Sequence, residues 1–235
     1  MVGDCPFFAL FQSGYPSTMA KPSLAAQAAE ELARLAAEAA RCQACDLWRN
    51  ATQTVFGRGP VDARLFLVGE QPGDQEDKAG EPFVGPAGRI LDNALADVGL
   101  KRDDVYLTNA VKHFKWTAKG KRRIHQRPSA REVAACKQWL TAELAVVDPD
   151  VIVVLGATAG QALFGSRFRV GAARGQVLDL DGRPAIATIH PSAVLRGQEP
   201  ADRDEQYAGL VADLRRAAAL DPTTIDTATI NEENR

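Results

Sequence analysis

The sequence predicts an α/β fold: a single domain with a mainly parallel central β-sheet flanked by helices. Three observations carry that expectation. Short apolar runs, Arg64-Leu-Phe-Leu-Val-Gly69 and Val151-Ile-Val-Val-Leu155 above all, have the continuous character of strands buried on both faces. Segments with helical spacing alternate with these runs, and such alternation marks a parallel sheet covered by crossover helices. The 235 residues, 46% hydrophobic and 25% charged, suffice to bury one substantial core.

The elements follow in chain order. Residues 1–22, rich in Gly, Pro and Ser, read as a mobile tail before a domain spanning 23–220, and the polar, acidic stretch 221–235 reads as a second tail. Ser23 is placed to cap a helix of good formers that runs to Arg41. The Arg64–Gly69 strand opens into Gly-Glu-Gln-Pro-Gly, and Pro86 to Val98 is helical. Val105-Tyr-Leu-Thr is strand-like, Ser129 to Val147 helical, Val151 to Leu155 a strand, and Ala157 to Phe164 a short helix. Gln176–Leu180 and Ala185–Ile189 flank an Asp181-Gly182 turn, and Asp202 to Leu220 closes the chain as an amphipathic helix. Parallel sheets bind ligands beyond the carboxyl ends of their strands, so the loops of interest are 69–85, 109–128, 156–160 and 190–196.

Composition excludes some classes of function. No apolar run approaches the roughly 18 to 20 residues of a membrane helix, and no basic stretch precedes an apolar one at the start, so a cytoplasmic protein with no membrane role is expected. Net charge is -2, so nucleic-acid binding would need a local patch. One exists between Lys119 and Arg127.

Four cysteines in such a protein speak for metal binding rather than for disulfides. Cys42-Gln-Ala-Cys45 follows the first helix with a gap that lets both thiolates reach one centre, and Cys136 lies in a later helix. The fourth ligand is either Cys5, in the amino-terminal tail, or His113, in the loop after the Val105 strand. His113 is preferred, because an imidazole can replace a thiolate on a cluster iron and the tail offers nothing to hold Cys5. Spacing alone leaves zinc and iron–sulfur equally open.

Four motifs occur in order between Cys42 and Leu220: Gly69-Glu-Gln-Pro-Gly-Asp-Gln-Glu-Asp77, Gly80-Glu-Pro-Phe-Val-Gly-Pro-Ala-Gly88, Thr108-Asn-Ala-Val-Lys112 and His190-Pro-Ser192. Together they resemble the iron–sulfur uracil-DNA glycosylases. The resemblance implies a [4Fe–4S] cluster held by Cys42, Cys45, His113 and Cys136, with His113 a departure from the cysteine usual in the family. That departure, and the added basic segment Lys121-Arg-Arg-Ile-His125, resemble the UdgX subgroup, whose members become covalently attached to the DNA they attack.

The same resemblance distributes roles. A glycosylase must hold an extruded base and stabilise its departing anion. Phe83 is expected to stack on uracil and Asn109 to pair with its edge, refusing cytosine by leaving pocket groups unpaired. Gly69, Gln71 and Asp74 are expected beside them in the uracil pocket. Glu70 is expected to stabilise the oxocarbenium ion or orient a nucleophile, and His190 to donate to uracil O2. His125 is expected to capture the sugar C1′. Lys121, Arg122, Arg123, Arg127, Ser192 and Arg196 are expected to hold DNA phosphate. The expected partner is uracil-containing DNA, single-stranded by preference because extrusion then costs less, and the protein is expected to act as a monomer. Two competing expectations remain: a turnover glycosylase whose basic loop only grips DNA, and a non-catalytic nucleic-acid-binding protein with a structural or redox cluster.

Overall fold

The computed structural model describes residues 23–221. Cys5 and both tails, apart from Asp221, lie outside the described residues. In chain order the elements are α1 (Leu24–Ala39), β1 (Leu65–Gly69), α2 (Asp74–Ala79), α3 (Pro86–Asp97), β2 (Val105–Asn109), β3 (Trp116–Lys119), β4 (Arg122–His125), α4 (Ala130–Val147), β5 (Val151–Leu155), α5 (Ala157–Phe164), α6 (Val170–Ala173), β6 (Val177–Leu180), β7 (Arg183–Thr188), α7 (Ser192–Arg196) and α8 (Pro200–Ala219). Helix starts obey local chemistry. Ser23 caps α1 by accepting from the Ala26 N–H, and Ser129 and Glu132 cap α4 reciprocally.

Five strands form one sheet in the order β2-β1-β5-β7-β6, parallel throughout except for the β6–β7 hairpin. Alternate residues feed opposite faces. Leu65 and Leu67 pack with Leu91, Leu95 and Leu214 from α3 and α8, whereas Phe66 and Val68 pack with Tyr106 and with Leu140 of α4. The α/β architecture expected from the sequence is therefore present. Buried Asp213 pins α8 by accepting from Thr188 Oγ1 at 2.6 Å and pairing with Arg174 at 2.8 Å. Among the described residues no helix is long and apolar enough to cross a membrane.

The expected loops are more ordered than their sequences suggest. Segment 69–85 contains α2, 190–196 contains α7, and the basic segment folds as the antiparallel β3–β4 hairpin, with Trp116 opposite His125. After β1 the chain goes to β2 on one side of the sheet and later returns to place β5 on the other. The carboxyl ends of β1 and β5 therefore open a crevice where the strand order reverses.

Candidate active site

A cavity of about 640 Å3 occupies this crevice, lined by residues that include Glu70, Phe83, Asn109, His125, His190 and Arg196. Its floor depends on a missing side chain. Gly69 and Asn109 are register partners at the ends of β1 and β2, and a Cβ on Gly69 would overlap Asn109 Oδ1 and sit 2.5 Å from Phe83 Cζ. Glycine thus lets the amide and the ring share one wall. Asn109 is 3% exposed, and among the described residues its side-chain amide has no protein partner, which leaves a donor and an acceptor for a ligand.

Phe83 takes a left-handed backbone, φ 56°, sparsely populated for an aromatic residue. Its neighbours hold it there. Arg102 donates to the Phe83 carbonyl at 2.9 Å and also to Pro82, while Asp92 accepts from the same guanidinium at 3.0 Å. Gly88 presses against the Phe83 carbonyl with no room for a Cβ. Glu76 then ties two pocket loops together, accepting from the Gly73 N–H at 3.1 Å and the Gly85 N–H at 2.8 Å.

The titratable groups face one another across the mouth. His125 Nε2 lies 3.5 Å from Glu70 Oε1. The other Glu70 oxygen accepts from the Thr158 hydroxyl, and Thr158 Oγ1 accepts from Arg127 Nε at 3.2 Å. His125 is held below the ordinary imidazole range by burial, with Arg196 adding to the effect and Glu70 opposing it. His190 is pushed down to about 4 by burial, then by Arg196 and His125. Its Nδ1 accepts from the Ser192 N–H at 3.1 Å, so the neutral ring carries its proton on Nε2. The Phe83 and His190 rings lie 6.2 Å apart and 26° from parallel.

Several residues expected at ligand or phosphate are engaged within the protein. The Gln71 amide is tied to the base of the hairpin, donating to Gln126 O at 3.0 Å and Lys115 O at 3.2 Å and accepting from Lys115 N at 3.2 Å. Arg123 turns inward to Asp74 at 2.5 Å and Asp77 at 2.6 Å, between the Phe114 and Trp116 rings. Asp74 is shared with Lys78 at 2.6 Å. Arg127 is exposed, yet it reaches Thr158 and, at 3.0 Å, Gln161 Oε1. Lys121 and Arg122 stand exposed at the hairpin tip. Arg196, at the rim, donates to Ser192 Oγ at 2.9 Å, and that hydroxyl also lies 2.8 Å from His190 Nδ1.

A second, smaller cavity is lined by Cys42, Cys45, His113, Cys136 and Trp139. Among the described residues no three His, Cys, Asp or Glu side chains are grouped as a single metal ion requires, while Cys42, Cys45, His113 and Cys136 line one common void. Two observations fit a cluster. The Thr54 hydroxyl gives its proton to Ala39 O at 3.0 Å, so it accepts from His113 Nε2 at 2.9 Å, which fixes the tautomer and leaves His113 Nδ1 as a lone-pair donor. Among the described residues the buried Trp139 indole N–H has no partner, and it lies beside the cysteines as a donor suited to cluster sulfur. Burial pushes Cys136 up to about 11 and raises Cys45, so binding a metal there must displace protons.

Thr158, Glu76 and Arg102 escape sequence reasoning. Thr158 lies 88 residues from Glu70 and Arg102 lies 19 from Phe83, pairings that no local spacing encodes, whereas Glu76 reaches Gly73 and Gly85 from within the same stretch of chain.

Comparison with known proteins places the chain in one family. The family model described as the uracil DNA glycosylase superfamily matches residues 56–215. A type-4 uracil-DNA glycosylase of Thermotoga maritima is 41% identical over 172 residues, covering 72% of this chain and 86% of the relative. One from Archaeoglobus fulgidus is 37% identical over 174 residues, covering 71% and 84%. A type-5 uracil-DNA glycosylase of Pyrobaculum aerophilum is 34% identical over 151 residues, covering 57% and 63%.

Proposed function

The chain belongs to the uracil-DNA glycosylase superfamily, and from that premise we propose that it excises uracil from DNA during repair and captures the resulting sugar on His125, in the manner of the UdgX subgroup. The observation that carries the proposal is His125 itself, a half-exposed imidazole lining the pocket 3.5 Å from Glu70, with its pKa lowered by partial desolvation. Its rim position lets the ring meet a sugar whose base lies below.

The chain's residues then divide the reaction. Phe83 offers an apolar face to the extruded base, and the unpartnered Asn109 amide offers complementary donor and acceptor groups to its edge. As the C1′–N1 bond breaks, its electron pair leaves with uracil. Neutral His190, its Nδ1 taken by the Ser192 N–H, donates through Nε2–H to the developing anion in this scheme. Glu70 bears its charge toward the oxocarbenium ion. A lone pair of the His125 imidazole then forms the bond to C1′; the imidazolium gives up its remaining N–H proton, and the uracil anion gains one.

Cys42, Cys45, His113 and Cys136 are the proposed holders of a [4Fe–4S] cluster, which would supply a structural pin rather than electrons, since glycosidic cleavage transfers none. Iron content and visible absorbance of the purified protein test this; zinc in place of iron overturns it. The proposed state is a monomer in the cytoplasm, where thiols stay reduced. Single strands are the proposed preferred substrate, because extrusion costs least there.

The test is incubation with uracil-containing single-stranded DNA followed by denaturing electrophoresis. A slowly migrating protein–DNA species is expected, and His125→Ser should replace it with free uracil and an abasic strand, because the pocket is otherwise intact. Uracil release by the parent protein without any such species would leave a turnover glycosylase and end the capture reading.

A further inference from the structure

We propose that Thr158 is a positioning residue that sets Glu70 and, through Arg127, the hairpin carrying His125 in one register; the role rests on the glycosylase reading of the pocket. Thr158 is the second residue of α5, 3% exposed, at the strand-order reversal. A guanidinium only donates, so the bond from Arg127 Nε fixes Thr158 Oγ1 as acceptor there and leaves the hydroxyl proton for Glu70 Oε2. With Oε2 held, Oε1 is the oxygen presented to His125. Arg127 follows His125 by two residues, and its second bond goes to Gln161, one turn along α5. The end of the hairpin is therefore moored to the same helix turn that orients the carboxylate.

Thr158 stands in the first turn of α5, where no helical carbonyl lies one turn back to take its hydroxyl, and among the described residues both hydrogen-bond partners of Oγ1 belong to the site. Valine would fill the same space while removing the hydroxyl. Thr158→Val thus separates packing from orientation, and Thr158→Ser restores the hydroxyl alone.

The experiment compares parent, Thr158→Val and Thr158→Ser by single-turnover uracil release, by covalent capture, and by affinity for a strand carrying 2′-fluoro-deoxyuridine, whose glycosidic bond resists cleavage. Thr158→Val is expected to slow release about 10- to 100-fold, the scale of a misplaced catalytic group. Affinity should stay unchanged and Thr158→Ser should recover most of the rate. Release by Thr158→Val at the parent rate, or Thr158→Ser as slow as Thr158→Val, overturns the role. If Thr158→Val does not fold, Arg127→Met at its exposed position decides between the outcomes: slowed release supports the mooring, and the parent rate overturns it. Should the parent release uracil without cross-linking, only capture fails, and the same comparison still decides Thr158. A parent that releases no uracil overturns the reading of the pocket and this role with it.

Discussion

Protonation of two imidazoles decides how the pocket responds to pH. His190 is held near 4 in the fold against an ordinary 6.5. As pH falls through that window the unfolded chain takes up a proton that the folded chain refuses, so stability from this group is complete above the ordinary value and is lost toward 4. Denaturant midpoints measured across this range should fall with pH, and His190→Asn should flatten the fall. His125 is also depressed, so its neutral form survives to more acid solution than an ordinary histidine; the acid limb of the capture rate should lie below 6.5. A limb at or above that value would contradict the burial that lowers it. Gly69→Ala should abolish excision while largely preserving the fold, since the new methyl displaces Asn109 and Phe83 together. At this scale the sequence spoke clearly where a motif named the residue. Glu70, Gln71, Asp74, Phe83, Asn109, His125 and His190 line one cavity, yet nothing near Gln71 or Arg123 announced that their side chains would also hold the hairpin.

Elements were legible in proportion to their burial. β1, β2 and β5 are buried at every position, and the unbroken apolar runs of β1 and β5 and the Val-Tyr-Leu of β2 could be read directly. The β3–β4 hairpin has no such run: two of its eight residues, Trp116 and Ile124, are large apolar side chains and most of the rest are exposed, so it reads as a basic loop. What folds it is Arg123, clamped by Asp74 and Asp77 and stacked between Phe114 and Trp116. Arg123→Met should therefore loosen the element that carries His125. It leaves buried Asp77 with only Thr52 as partner, a loss of about 1–3 kcal/mol. Faster amide exchange in 116–125 and slower capture, with uracil-strand affinity retained, are the expected signs. Unaltered exchange there would mean that the hairpin ladder stands without its arginine.

Across the whole molecule, charge and connection are distributed unevenly. Net charge is -2, but Lys119, Lys121 and Arg122 are exposed at the hairpin tip and Arg196 at the rim, none of them in an ion pair among the described residues. Binding to single strands should weaken with salt at roughly −0.7 in log–log slope per phosphate met, and Lys121→Ala/Arg122→Ala should make that slope shallower. The strand order that sets the crevice was not readable, because it depends on which buried run pairs with which. Nor was the buried Lys112–Glu143 pair, 1% and 0% exposed, which joins the two cavities. Lys112 Nζ donates to Asn109 O at 2.9 Å and to Thr108 Oγ1 at 2.6 Å, while its backbone N–H donates to Cys136 Sγ at 3.2 Å. Glu143 in turn accepts from the Gly57 N–H at 2.7 Å. Lys112→Met would strand a carboxylate in the core, and unfolding free energy should drop by about 3–5 kcal/mol. Lys112→Met with Glu143→Gln removes the stranded charge, so denaturation midpoints should recover much of the loss. Uracil affinity should not recover with them, because the Asn109 carbonyl still lacks the ammonium that fixes it. Recovery of both together would mean that the pair contributes stability alone and that Asn109 is positioned by the sheet without it.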